Sequence, residues 1–215
     1  MKKEIIKYID QLKEHKNIVG IFIFGSYALE TNHSFSDVDL YVVYDKDSNI
    51  EKIDYIKKYG LYFQHQWRTK EEFKTKIVKI TRNKPLGEYA KIMYDPSGVI
   101  EEYLIKSKEN TKLGPKKMME DERKLFINSI ECELYSAQGM IKSDEIGCFI
   151  LLNEIIINIL NLYYDKNGWW LKSEKHLIKD LKYRNNEVGV LAEKSLLIQN
   201  PLEKLKLVNK LFQIV

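Results

Sequence analysis

The residue types able to do chemistry are concentrated in the run FIFGSYALETNHSFSDVDLYVVYD, which holds Gly25-Ser26 and then Ser36-Asp37-Val38-Asp39. Two carboxylates one residue apart on a strand project to the same side of a sheet, because side-chain direction alternates with period two. Asp37 and Asp39 therefore form a seat for a hard divalent cation such as Mg²⁺, while Val38 turns into a core. Gly25-Ser26 ends an apolar strand and opens a short helical segment at Tyr27. That geometry offers backbone N–H groups and a hydroxyl to a phosphate. A phosphate cradle followed by a two-carboxylate seat is the equipment of metal-assisted phosphoryl or nucleotidyl transfer.

Positioning these groups requires an α/β frame, and the apolar pattern supplies one. Ile5, Ile6, Ile9 and Leu12 recur at helical spacing over residues 3–15. Ile18 to Phe24 reads as a buried strand, Tyr27 to Glu30 as a short helix, and Asn32 to Ser36 as a polar loop. The carboxylates open a second strand that runs through Leu40 to Tyr44. A turn over Asp45 to Asn49, a short helix over Glu51 to Tyr59 and a strand LYFQHQWRT after Gly60 come next. The pattern then gives a helix over Lys70 to Thr81, a strand over Ala90 to Tyr94, an Asp95-Pro96-Ser97-Gly98 turn and a helix over Val99 to Lys108. Asn110 to Lys117, with Gly114-Pro115, is the best linker. Beyond it strand signals vanish, and helices are expected over about 118–140, 144–165, 173–183 and 201–214. The fold class is α+β: a small mixed-sheet domain over residues 1–110 and an all-α helical bundle over residues 114–215.

Composition narrows the class. A 215-residue chain with 44% hydrophobic and 31% charged residues buries a real core and is ordinary for a soluble protein. A net charge of +4 is mild: a basic patch around the site would suit a triphosphate, but the excess is too small to signal a nucleic-acid binder. Cys132 and Cys148 both sit in apolar helical patterns and read as small core residues of a reducing compartment. The N-terminus, MKKEIIKYIDQLKEH, is amphipathic and lacks the apolar core of a signal peptide, so a cytoplasmic location is expected. The stretch from Cys148 to Tyr164 is broken by Asn153, Glu154, Asn158 and Asn161, so it reads as a buried helix and no membrane partner is expected.

The strand, Gly-Ser turn, spacer and Asp-x-Asp of residues 18–44 resemble the DNA polymerase beta-like nucleotidyltransferase superfamily. The spacing from Ser26 to Asp37 looks like that of its small bacterial members, among them antibiotic nucleotidyltransferases that also carry a C-terminal helical domain. The resemblance covers roughly the first half of the chain. It implies two Mg²⁺ ions at Asp37 and Asp39, a nucleoside triphosphate (ATP is the expectation) held at Gly25 and Ser26, and transfer of a nucleoside monophosphate to a hydroxyl. The acceptor would be a small molecule such as an antibiotic, or a protein side chain, and a homodimer is compatible with all of this. The family spacer often has a glycine where this chain has Glu30, which implies a differently built turn.

The resemblance also implies a third carboxylate on a neighbouring strand, where this chain offers Gln64, His65 and Gln66. An amide oxygen can coordinate Mg²⁺ without adding charge, and the His65 imidazole could serve as general base. A His pairing with a neighbouring strand is the equally weighted alternative. Glu154, Asn158, Asn161 and Asp165 form a polar stripe on an apolar helix, either an acceptor or base surface or a solvated face, with Glu131 and Glu133 as further acids. Trp169-Trp170 beside Lys172 and Lys175 could stack a base, although plugging a helix junction is the commoner use of such tryptophans. The competing reading is a nucleotide-binding pseudoenzyme or interaction module that has lost the third acid.

Overall fold

The computed structural model describes residues 2–45 and 51–215, which divide into two compact units, 1–113 and 114–215. Helix α1 (Lys3–Lys13) leads into strand β1 (Ile18–Phe24), and a single turn of helix, α2 (Gly25–Ala28), connects it to the spacer before β2 (Val38–Tyr44). Strands β3 (Tyr55–Lys58) and β4 (Leu61–Thr69), helix α3 (Lys70–Ile77), strand β5 (Lys91–Tyr94) and helix α4 (Val99–Glu109) complete the first unit. The sheet order is β3-β4-β2-β1-β5. β2 and β4 run parallel, and every other neighbouring pair is antiparallel.

Each face of this sheet has its own core. On one side Ile5, Tyr8, Ile9 and Leu12 of α1 pack on Ile21, Ile23, Leu40, Val42, Phe63 and Trp67. On the other, Phe73 and Ile77 of α3 and Ile100 and Leu104 of α4 cover Phe22, Tyr41 and Val43. Burial of each large apolar side chain of this kind contributes roughly 1.5–3 kcal/mol. β1 is apolar on both faces, and β2 is so beyond Asp39, as a doubly covered sheet requires.

One element differs in type from the sequence reading. Residues 51–59 were expected as a short helix. Instead Tyr55–Lys58 is an edge strand whose Tyr55 pairs with Gln64 and whose Lys58 pairs with Leu61. The two-residue loop Tyr59-Gly60 has both residues at positive φ, 52° and 78°, the geometry of a tight hairpin turn. Pairing with β4 overrides the weak local helical spacing. The expected Asp45–Asn49 turn lies outside the described residues from position 46 onward. Helix α2 begins at Gly25, ahead of the expected Tyr27, and α3 stops at Ile77.

All regular elements described in the second unit are helices: α5 (Glu120–Met140), α6 (Glu145–Lys166), α7 (Glu174–Arg184), α8 (Asn186–Leu197) and α9 (Pro201–Phe212). Helix α8 was not delimited by the sequence pattern. It starts where the Asn185 side chain accepts from the Val188 N–H, a cap with 3.2 Å geometry. By length and composition α6 could span a bilayer; here Leu152, Ile155, Ile156, Ile159 and Leu160 are fully buried in the core of this unit. Cys148 is buried as expected, whereas Cys132 is exposed on α5, contrary to the core reading.

Candidate active site

Asp39 is the second residue of β2 and stands beside Phe24, the last residue of β1. The chain leaves β1 through Gly25 at φ 65°, a left-handed conformation natural to glycine. A Cβ there would lie 1.9 Å from Oδ2 of Asp39, so the glycine brings its backbone directly against the carboxylate. The sequence signature thus has a steric meaning: Gly25 and Asp39 are two halves of one contact. Ser26 and Asp37 are half-buried on either side of it, and Val38 is fully buried, as alternation requires.

The spacer between Ser26 and Asp37 is shaped by its own bonds. The Thr31 N–H donates to the Ser26 carbonyl at 3.0 Å, and the His33 N–H donates to the Ser36 hydroxyl at 2.9 Å. Glu30 takes φ 58°, the glycine-like conformation at the position where the resembled family often has glycine. Its carboxylate is held by Lys91 at 2.6 Å, and that bond lowers its pKa. The turn thus places a glutamate in a left-handed conformation that glycine adopts more readily.

Register decides which residue of β4 joins the carboxylates. Asp39 pairs with Gln64, while Leu40 pairs with His65. Gln64 therefore shares the face of Asp39, and its amide nitrogen donates to the Tyr55 hydroxyl at 3.2 Å. His65 faces the opposite core at 4% exposure, with Nε2 3.0 Å from the Tyr8 hydroxyl and its ring stacked on Trp67. Burial lowers its pKa and raises that of Tyr8 to about 12. The reading of His65 as a general base beside the metal seat is corrected: it is a core histidine. Gln66 pairs with Tyr41, one step further along the Gln64 face.

Two aromatic residues missed by the sequence reading belong to this region. Tyr55 enters because β3 is a strand and not a helix. Tyr89, just before β5, has its phenol pKa pushed up by burial and then by the Asp39 charge, which places it in the field of that carboxylate. Neither carries a motif; their positions follow from pairing and chain path. Among the described residues no group of three His, Cys, Asp or Glu side chains could hold a metal. Asp39 has the neutral amide Gln64 in register beside it.

The helical unit deploys its acids differently. Asp165 is buried, accepts the Met118 N–H at 2.8 Å and pairs with Arg123 at 2.6 Å, so it ties the start of α5 to α6. Glu131 and Glu154 are exposed, and Asn158 and Asn161 are half-buried. Glu133 accepts from Ser129 at 3.2 Å. Trp169 packs edge-on against Tyr163 and Tyr164 with Arg184 over its ring, a junction plug. Asp95 closes its turn by accepting the Glu101 N–H at 2.8 Å.

Residues 4–95 match the family model described as Polymerase beta, Nucleotidyltransferase. A nucleotidyltransferase-like protein from Exiguobacterium sibiricum 255-15 has a similar structure over 99% of this chain and 74% of its own, with a TM-score of 0.51 and 13% identity. Spectinomycin adenyltransferase AAD(9) from Enterococcus faecialis, solved with ATP and spectinomycin, aligns over 96% of this chain and 98% of its own, with a TM-score of 0.40 and 15% identity. At such identities the first likeness is one of fold. No functionally curated protein sequence matches the chain.

Proposed function

We propose, from the premise that the first unit carries a nucleotidyltransferase domain of the polymerase beta family, that this protein transfers a nucleoside monophosphate from a triphosphate to a hydroxyl. The donor is ATP and the acceptor a small molecule such as an antibiotic, or a protein side chain. The observation that carries the reading is the contact of the Gly25 backbone with the Asp39 carboxylate, next to Ser26 and in register with Gln64. Only a glycine lets the chain pass this close to the carboxylate, because a Cβ would collide with its Oδ2.

The donor set fits Mg²⁺, which is commonly held by one or two carboxylates together with substrate phosphates. Asp37 and Asp39 would hold a first ion. A second would draw on the neutral oxygen of Gln64 and on the triphosphate. Bound there, Mg²⁺ neutralises phosphate charge and helps ionise the attacking hydroxyl. The chain's own residues orient the reactants: Ser26 would offer its hydroxyl to a phosphate oxygen, and Gly25 lets the turn lie against the Asp39 carboxylate. Pyrophosphate is the leaving group.

The experiment is incubation with each labelled nucleoside triphosphate, Mg²⁺ and an acceptor panel, scored for pyrophosphate release. Release that depends on an acceptor and disappears in Asp37→Asn supports transfer. A second reading, a nucleotide-binding pseudoenzyme, is favoured by one observation: Gln64 stands in register with Asp39 where the resemblance implies an acid. Triphosphate binding without pyrophosphate release on any acceptor selects that reading.

A further inference from the structure

A pocket of about 330 Å³ opens on the other side of the spacer, lined by Lys2, Tyr27, Glu30, Asn32 and Lys91. It is separate from the carboxylate seat. Lys91 is in register with Ile23, and Ile23 with Leu40, so Lys91 lies on the α1 face of the sheet. Asp39 lies on the opposite face. Tyr27 likewise belongs to the core beneath α1.

Tyr27 is 9% exposed, and its hydroxyl is buried with no hydrogen-bond partner among the described residues. Buried polar groups of native proteins are nearly always satisfied, and an orphan calls for an explanation such as a missing ion. The remaining lining is rich in donors. The Lys2 ammonium sits 5.8 Å from the centre of the Tyr27 ring, Asn32 adds an amide, and Lys91 adds a second ammonium whose charge is partly offset by Glu30. A hydroxyl, an amide and two ammonium groups around one cavity match an oxyanion. The Glu30 carboxylate in the same lining opposes it, offset by its pairing with Lys91.

We propose that this pocket is a second ligand site, for a phosphate-type oxyanion held by the Tyr27 hydroxyl and the Lys2 and Lys91 ammonium groups. Tyr27, Glu30 and Asn32 all lie on the chain segment that joins the Gly25-Ser26 turn to Asp37 and Asp39. An anion bound there would compete with Glu30 for Lys91, an exposed pair of small worth.

The test is calorimetric titration of inorganic phosphate and, separately, of pyrophosphate into the whole protein with divalent cations removed by chelation. The wild type, Tyr27→Phe, Lys2→Met and Ser26→Ala are compared. Binding should weaken by about tenfold or more in Tyr27→Phe, the scale of one hydrogen bond to a charged group. It should weaken in Lys2→Met and persist in Ser26→Ala. Tighter binding of pyrophosphate than phosphate identifies the former as the ligand, and the reverse order identifies free phosphate; both support the site. Unchanged affinity in Tyr27→Phe and Lys2→Met, or loss confined to Ser26→Ala, overturns it. Thermal unfolding of Tyr27→Phe without ligand is a second check. An orphan hydroxyl costs nothing to remove, so the midpoint should hold or rise, and a clear fall would show an internal partner and overturn the proposal. None of these readings depends on nucleotidyl transfer, so the site and the activity stand or fall separately.

Discussion

Gln64 and His65 are adjacent in sequence and opposite in fate. On one face of β4, Gln64 stands beside Asp39 with its amide bonded to Tyr55. On the other, His65 is sealed under α1 between Tyr8 and Trp67. The two faces share the same strands and differ in what covers them. Helices α3 and α4 reach Phe22, Tyr41 and Val43, whereas Asp39 near the start of β2 and Gln64 beside it on β4 are only half-buried. Helix α1 runs under the other face and covers it as far as Phe63 and Val38. Polar side chains become chemically available where covering helices stop, and the same residue types one position away become packing.

The contrast is broken most severely at the carboxylates. Asp39→Asn keeps shape and removes a charge, so Mg²⁺-dependent transfer should fall by at least ~10²-fold, the scale of losing one preorganised electrostatic contact. Circular dichroism should show an unchanged fold. Retained turnover would remove Asp39 from the site. Gly25→Ala should produce a comparable loss of turnover for a different reason. Its methyl would meet the Asp39 carboxylate, and the left-handed backbone adds about 1–2 kcal/mol of strain, to be read by chemical denaturation.

On the opposite face the expected effect moves from rate to stability. His65→Ala should cost about 2–5 kcal/mol, as large-to-small changes in cores do, while kcat at constant folded fraction is preserved. A pH series adds a signature. Burial depresses the folded-state pKa of His65, so the unfolded chain takes up the proton first. Stability from this site is present above the unfolded imidazole value of about 6.5 and is lost as pH falls below it toward the folded value. His65→Phe should flatten that part of the stability profile. A rate that rises with pH in wild type and not in His65→Phe would return His65 to the chemistry.

Gln64→Glu sharpens the comparison by restoring charge on the Asp39 face. Mn²⁺ affinity, followed by electron paramagnetic resonance, should tighten by roughly tenfold, within the range by which neighbouring groups tune metal sites. The smallest effect concerns the cysteines. Cys132 should react with a thiol reagent in the folded protein, and Cys148 only after unfolding.

Much of this site was legible because its logic is local. Gly25, Ser26, Asp37 and Asp39 lie within one turn and one strand opening, and alternation alone places Val38 inside. The apolar runs of residues 18–24 and 38–44 likewise announced two central strands, and the second unit announced all its described helices but α8. The strand at Tyr55–Lys58 was not legible, since Ile53 and Ile56 fit a helix and only pairing to β4 selects the extended form. The left-handed backbone of Glu30 was hinted at only by the glycine that the resembled family often has there, and its pairing with Lys91 of β5 was not legible at all.

The sequence by itself determined the strand–turn–carboxylate unit and the change from mixed sheet to helices, because these rest on spacing along the chain and on the fixed periods of strand and helix. Tertiary structure alone decided that Gln64 and not His65 meets Asp39, that Asp165 is consumed by Arg123, and that Tyr27 lines a pocket with an unanswered hydroxyl. Each of those outcomes depends on the register between strands or on packing between segments far apart in the chain. Such relations are set by which arrangement buries the most apolar surface with its polar groups satisfied, and no local window contains both partners.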